Sequence, residues 1–254
     1  MCQVGGRLRQ EDVEFQARLY VDPIPTRRGL HLDRRAWVIG HLEAYGKAGC
    51  RALEVGVGCG VFSLDMAARG FRVSAVDIND CFLEHLAGDP QIEVHLLDAT
   101  KSLGIGQHDI ALCSEVLEHV DPAQSQDMVN SLFDALRPGG ILVLSTPQTY
   151  SVVELFSRAF RFAPFLALAR RLYGQAEELG HINLLTAAGV RTQLREAGFE
   201  ILSAERFGLY LPGVAEFGGE AGWRFLKCAG RALAKMPLLN GLLWTQGWVA
   251  RRPA

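Results

Sequence analysis

Two carboxylates and an imidazole lie close together in Ser114-Glu115-Val116-Leu117-Glu118-His119-Val120, directly after the apolar run Ile110-Ala111-Leu112-Cys113. In a helical turn, residues at i, i+3 and i+4 share one face, so Glu115, Glu118 and His119 can converge. Such a set can do two kinds of chemistry. His119 can act as a general base toward a hydroxyl, oriented by Glu118 or Glu115; imidazole suits the task because its unperturbed pKa is roughly 6.5. Alternatively, the carboxylates and the imidazole can bind a divalent ion that polarises the hydroxyl, with His181 of Gly180-His181-Ile182-Asn183 as a fourth ligand. The third reading is inert: polar side chains capping a loop.

A second signal is Leu53-Glu54-Val55-Gly56-Val57-Gly58-Cys59-Gly60. Apolar residues lead in from Ala52 as a buried strand would, glycines follow at alternate positions, and Val61 to Ala68 reads as a helix. Strand, glycine turn and helix open a nucleotide-binding unit. Glycine lets the chain turn sharply and lets a ligand lie against bare backbone. The helix start offers unsatisfied N–H groups to a negative group. The dinucleotide fingerprint requires G-x-G-x-x-G, whereas here the third glycine falls one place early and Val61 holds the last position. A glycine turn that merely joins strand to helix is the plain alternative.

The form E-x-G-x-G-x-G resembles the first motif of class I methyltransferases, which bind S-adenosylmethionine (SAM). Glu115 to Val120 resembles the "EVLEHV" motif of the ubiquinone-biosynthesis O-methyltransferases, and "LRPGG" followed by an apolar strand and "STP" is similar to a later motif of the same family. The resemblance covers roughly residues 33–150 well and 181–251 more loosely. It implies that Glu54, Gly56, Gly58 and Gly60 shape the seat of the methionine moiety. It also implies that Asp77 accepts the ribose hydroxyls, Ile78 lies against the adenine, and Asp98 receives the adenine amino group. Ala99 and Ser114 line the same site. It places Glu115, Glu118 and His119 beside the transferred methyl. Small-RNA 2′-O-methyltransferases use a similar E-x-x-E-H with a distant histidine on a metal, which is the context for His181. Asp77 could equally cap the next helix, and Asp98 alone could be turn chemistry.

The elements that must position these residues are legible in order. Glu11 to Tyr20 reads as a helix, Pro23 and Pro25 break the chain, and a helix starts at His31 and stops near Gly46. Strands follow at the Ala52 run, Arg72 to Asp77, Ile92 to Leu97, Asp109 to Ser114 and Ile141 to Thr146. Gln124 to Leu136 forms an amphipathic helix stopped by Arg137-Pro138-Gly139-Gly140, and Thr186 to Ala197 forms another. Ile201 to Phe207 and Leu242 to Arg251 are the last strands. The fold class is α/β: a Rossmann-like, seven-stranded, mostly parallel sheet with helices on both faces and the last strand antiparallel. The order 3-2-1-4-5-7-6 is what the resemblance implies. Residues 1–254 read as a single domain with an N-terminal lead, 1–45, and inserted covers at 150–180 and 208–240. Tyr20, His31 and Trp37 could touch substrate, with packing on the sheet edge as the plainer reading.

The 254 residues are 49% apolar and carry a net charge of −2, which gives no global attraction to nucleic acid. DNA is excluded as a partner and RNA is disfavoured, because no aromatic-interleaved basic tract appears. Cys2, Cys50, Cys59, Cys81, Cys113 and Cys228 form no C-x-x-C pair and read as reduced, buried thiols in a cytoplasmic protein. Neither a signal peptide nor a spanning helix appears. Residues 155–176 contain no acidic residue but several arginines, phenylalanines and leucines. On a helix at 222–236, Arg224, Lys227, Arg231 and Lys235 share one arc opposite Trp223, Leu226, Ala229 and Leu233. Together these covers suit an apolar acceptor or a peripheral contact with a membrane surface. The function implied is methyl transfer from SAM to a hydroxyl of a small apolar acceptor, such as a quinone precursor or a lipid-like phenol. The alternatives are a nitrogen, carbon or carboxylate acceptor, an RNA 3′ end, or a SAM-binding module without catalysis.

Overall fold

The computed structural model describes residues 10–159 and 182–254. Its strands are β1 (Arg51–Val55), β2 (Arg72–Asp77), β3 (Ile92–Leu96), β4 (His108–Ser114), β5 (Leu136–Pro147), β6 (Glu200–Phe207) and β7 (Thr245–Arg251). They form one seven-stranded sheet in the order β3-β2-β1-β4-β5-β7-β6. β1 to β5 pair in parallel, and β7 runs antiparallel between β5 and β6, as expected.

Alternation along the central strands feeds two cores, one on each face. Ala52, Ile110, Leu112 and Val143 join Val38, Leu42, Phe62 and Met66 in the first. Leu53, Ala111, Leu142 and Leu144 join Met128, Leu132, Val190 and Trp248 in the second. Because both sides of the strands are apolar, helices must cover both. The described helices are α1 (Gln10–Arg18), α2 (Pro25–Tyr45), α3 (Val61–Ala68), α4 (Cys81–Glu84), α5 (Ser125–Ala135), α6 (Val152–Ala159), α7 (Ala187–Glu196), α8 (Pro212–Phe217) and α9 (Gly219–Ala234). α2, α3 and α4 cover the first face; α5 and α7 cover the second.

Some boundaries differ from expectation. Pro25 does not break the chain but opens α2, where a missing N–H is harmless and the fixed φ suits a helix. β5 begins at Leu136, so the Arg137-Pro138-Gly139-Gly140 run lies inside its first turn of pairing; a register shift against β4 between His108 and Ile110 absorbs it. Among the described residues the cysteines are free thiols, and Cys228 is exposed where burial was expected, because it lies on the outer side of α9. Trp37 packs over β7, where a Cβ at Gly247 would come within 2.5 Å of its ring, and reaches Phe207 of the edge strand β6 at 5.4 Å.

The second cover folds as α8 and α9 and is fixed to α2. Arg27 donates to Glu216 from Nε at 3.0 Å and from Nη2 at 2.6 Å. Arg28 pairs with Glu220 at 3.1 Å and Lys227 with Asp33 at 2.6 Å. Lys227 therefore leaves the outward basic arc that helical spacing assigns it; its ammonium is held by Asp33, 5.3 Å from the Trp223 ring. Of the first cover, α6 is described. Phe160, Phe162, Pro164, Phe165, Leu166, Leu168, Leu172 and His181 lie outside the described residues. No helix among the described residues is long and apolar enough to cross a membrane.

Gly29 is where α9 meets α2, and a Cβ there would lie 2.4 Å from Trp223 Cε2 and Cζ2. A rigid indole held by neighbouring ion pairs cannot yield easily. Gly29→Ala is expected to lower stability by roughly 1–3 kcal/mol, the usual penalty of overpacking. Thermal unfolding followed by circular dichroism checks it: an unchanged Tm would mean that α9 is not held at this contact.

Candidate active site

The site is built at the carboxyl edge of β1, β4 and β5, the edge at which open α/β sheets bind ligands. After β1, Gly56, Gly58 and Gly60 have φ of 77°, 53° and 74°, left-handed values that side chains resist. A Cβ at Gly56 would sit 2.1 Å from Val116 Cγ2, so the turn after β1 packs directly on the turn after β4. A Cβ at Gly58 would sit 2.3 Å from Gln16 Oε1. The same oxygen accepts from the Cys59 amide at 3.0 Å, so α1 lays a carboxamide over the glycine turn. Sequence reasoning missed Gln16, which a polar helix does not distinguish from its neighbours.

Beneath the turn, Glu54 is buried and accepts a hydrogen bond from Ser63 Oγ. Burial, helped by the charges of Asp77 and Asp65, pushes its carboxyl up to about 8. Asp77 ends β2; its Oδ1 accepts from the Asn79 amide at 2.9 Å and its Oδ2 from the Gly58 amide at 3.5 Å. Burial raises its pKa against these amide bonds. Ile78 beside it is exposed. Asp98 accepts from the Thr100 amide at 3.0 Å and hydroxyl at 2.7 Å, and pairs with Lys101 at 3.2 Å, with Ala99 half-buried alongside. The Thr100 hydroxyl is the main cause of its lowered pKa. In this structure Asp98 stabilises its own turn.

The motif after β4 is not one helical turn. Glu115 has φ 58°, the only positive φ of a non-glycine residue among the described residues, and a 3-10 turn begins at Leu117. The shared face expected for Glu115, Glu118 and His119 therefore does not form. Glu115 lies 2.9 Å from Arg34 through Oε2 and accepts from Ser145 Oγ at 3.1 Å. Ser145 Oγ also meets Ser114 Oγ at 2.8 Å. Glu118 turns inward, where Thr146 Oγ1 donates to its Oε2 at 3.0 Å and its Oε1 has no partner among the described residues. Burial first, and then the charge of Glu115, raise its pKa well above the ordinary carboxylate value. The His119 side chain is exposed. Behind the turn, Glu118 O accepts from the amides of Ile182 at 2.9 Å and Asn183 at 3.0 Å, and Asn183 Nδ2 donates to Leu117 O at 3.1 Å.

Arg34 is the centre that the motifs did not announce. It reaches Glu115 through Nη1 and donates from Nη2 to His31 Nδ1 at 2.9 Å. Burial opposes its charge, but Glu115, Tyr20 and Glu118 outweigh that and raise its pKa. His31 is driven down to about 3 by burial and by Arg34, so it is neutral. A line of rings runs from this pair: Tyr20 to His31 at 5.8 Å, His31 to Trp244 at 6.3 Å, and Trp244 to Tyr210 at 6.5 Å. The one available signal was His31 and Arg34 standing three apart on one helix.

The motif residues do not fit a metal centre. Glu115 is paired with a guanidinium, Glu118 is buried with its Oε2 held by the Thr146 hydroxyl, and no three His, Cys, Asp or Glu side chains gather as a metal site among the described residues. A cavity of about 590 Å3 near Arg51, Arg72, Gln91 and Glu93 lies at the opposite edge, where the strands begin. Strand starts are not where such sheets bind ligands, and it carries none of the groups above.

This strand order, with a glycine turn after β1 at its switch point, defines a class I SAM-dependent methyltransferase fold. Residues 30–204 match the family model described as a methyltransferase domain, and the chain belongs to that family. It is 37% identical over 122 residues to the ubiquinone biosynthesis O-methyltransferase of Psychrobacter cryohalolentis, covering 41% of this chain and 45% of that protein. The chain thus spans less than half the length of the first curated relatives it matches. Magnesium protoporphyrin IX methyltransferase of Synechocystis PCC 6803, solved with bound SAH, superposes with a TM-score of 0.60 at 19% identity, over 94% of this chain and 93% of that one. The cyclase SpnF superposes with a TM-score of 0.57 at 18% identity, over 87% and 81%. A likeness at this level fixes the fold and leaves the reaction to the site.

Glu54 generates a pH prediction. Its folded pKa of about 8 exceeds the ordinary value of 4.5, so the folded state holds a proton that the unfolded state has released. Its contribution is complete below about 4.5 and is lost as pH rises toward 8. Glu54→Gln keeps an acceptor for Ser63 and removes the titration. The variant is expected to gain Tm relative to the parent at pH 8 and not at pH 4.5, with scans at both values as the check.

Proposed function

We propose that the chain transfers the methyl group of SAM to a hydroxyl of a small, apolar, ring-containing acceptor. The observation that carries this reading is the line of Tyr20, His31, Trp244 and Tyr210 rings leading to the Arg34–Glu115 pair beside the glycine turn. Aromatic walls with few polar groups suit a flat apolar ligand. The relatives named ubiquinone biosynthesis O-methyltransferase support oxygen as the methylated atom.

The residues present fit SAM. The left-handed glycines leave a bare backbone cradle, and its Cys59 amide already holds a side-chain oxygen. When bound, SAM supplies a methyl group activated by its sulfonium. In this reading the Gly58 and Cys59 amides, with Arg34 nearby, hold a carboxylate, and Asp77 accepts the ribose hydroxyls. Ile78 and Asp98 with Ala99 border the adenine, and Ser114 holds the strand end at the methyl through Ser145. The protein must then align the acceptor oxygen, exclude water and take up one proton. Of the two candidate imidazoles, His31 is a poor base, because it is held neutral to about pH 3 and its Nδ1 already accepts from Arg34. His119, exposed at the end of the motif turn, is the base we assign, with Glu115 and Glu118 fixing that turn.

Calorimetry is expected to show SAM binding and no NAD binding; heat from NAD alone would sink the reading. Asp77→Ala should weaken SAM by roughly 1.5–3 kcal/mol, the worth of hydrogen bonds to a charged group.

His119→Ala should lower turnover of a phenolic acceptor by about 10²–10⁴-fold while SAM affinity stays intact. Methyl gain is read by mass spectrometry. Equal rates for parent and variant would remove His119 from the mechanism, and SAM heat with no methylated product from any phenol would leave only a binding module.

A further inference from the structure

We propose that the outer side of α9, with the segment that follows it, is a docking surface for anionic lipid. Its inner side is spoken for: Gly222, Leu226 and Gly230 are buried, and Trp223 and Lys227 are fixed against α2. What faces outward is Arg224, Phe225, Cys228, Arg231 and Lys235. At 100° per residue, Arg224, Arg231 and Lys235 fall within about 40° of arc. The other cations of this unit, Arg27, Arg28 and Lys227, each have a carboxylate partner. Arg224, Arg231 and Lys235 have none among the described residues. Residues 221–254 contain no Asp or Glu, and Glu220, one turn before Arg224, is already taken by Arg28.

Charge alone would equally suit any soluble polyanion. The apolar side chains beside the cations decide for lipid. Phe225 is 58% exposed, Phe217 at the end of α8 is 74% exposed, and Leu238, just past α9, is 96% exposed. A polyanion gives such groups nothing to bury in, whereas an anionic bilayer accepts the rings and the leucine among its acyl chains while its headgroups meet the cations. The surface lies on the same unit as Tyr210, so it would bring the ring-lined side of the site toward the layer in which apolar acceptors dissolve. Lipid docking itself does not depend on the reaction proposed above.

The test is vesicle flotation of the full chain at low and high salt, with phosphatidylcholine alone and with roughly one-third phosphatidylglycerol. Retention is expected only on the anionic vesicles and only at low salt. Replacing Arg224, Arg231 and Lys235 by glutamine should lower partitioning by about fivefold per cation, on the order of a hundredfold together. Phe225→Ser with Leu238→Ser should lower it about tenfold. All five side chains are exposed or terminal to the helix, and an unchanged Tm confirms that the variants fold. No retention on anionic vesicles at low salt would overturn the proposal. Retention unaffected by the charge variant would do the same, and retention unaffected by the Phe225 and Leu238 variant would overturn the choice of lipid over a soluble polyanion, which rests on those apolar groups.

Discussion

The site depends on one ion pair that holds one strained residue. Glu115 carries a left-handed φ of 58°, a conformation that costs a side-chain-bearing residue about 1–3 kcal/mol. Three contacts impose it: its amide donates to Ser145 O at 2.9 Å, Ser145 Oγ donates to its carboxylate at 3.1 Å, and Arg34 meets the other carboxylate oxygen at 2.9 Å. Because both side chains are largely buried, removing either partner would leave a desolvated charge, which is worse than never having had the pair. The left-handed step also ends the continuity of β4, so that Val116 drops against Gly56 and Glu118 turns inward to Thr146. Two turns from different strands are thereby held edge to edge.

The acidic groups around the glycine turn divide by environment. Asp77 keeps several backbone amides as partners and sits where it can still meet a ligand, while Glu54 has Ser63 and little else and is pushed toward neutrality. Glu118 is pushed in the same direction by its burial, with the Glu115 charge added.

The fold was legible because its signals are local. Apolar runs in β1, β4 and β5, the glycine turn before α3, and the acidic residue ending β2 each follow from short-range chemistry, and the sheet order follows once the resemblance is granted. Pro25 was misread because a proline that breaks a helix interior also opens one. The site was legible only in part. A helical period brings Glu115, Glu118 and His119 together, but no spacing rule foresees a left-handed Glu115, whose φ is set by Ser145 and Arg34, far away in sequence. Arg34 itself belongs to no motif; its burial is a consequence of the cover that α2 carries. Lys227 fails for the same reason, since helical periodicity knows the angle of a side chain but not that Asp33 lies opposite.

α2 is the element through which these parts communicate. From its first turns it sends Arg27 and Arg28 to the second cover, and Gly29 receives Trp223; within the next two turns it sends His31 and Arg34 to the site and Asp33 to Lys227. A helix rises about 1.5 Å per residue, so these contacts span only about 10 Å of one rigid rod. Any shift of α8 and α9 against the sheet must therefore move the guanidinium that holds Glu115, or break ion pairs with Glu216, Glu220 and Asp33 to avoid doing so. Tyr210 reinforces the coupling, because its hydroxyl donates to Glu216 while its ring faces Trp244. The groups that line the acceptor side and the group that sets the backbone at the motif turn are thus parts of one body, and the cover cannot be treated as decoration on a finished active site.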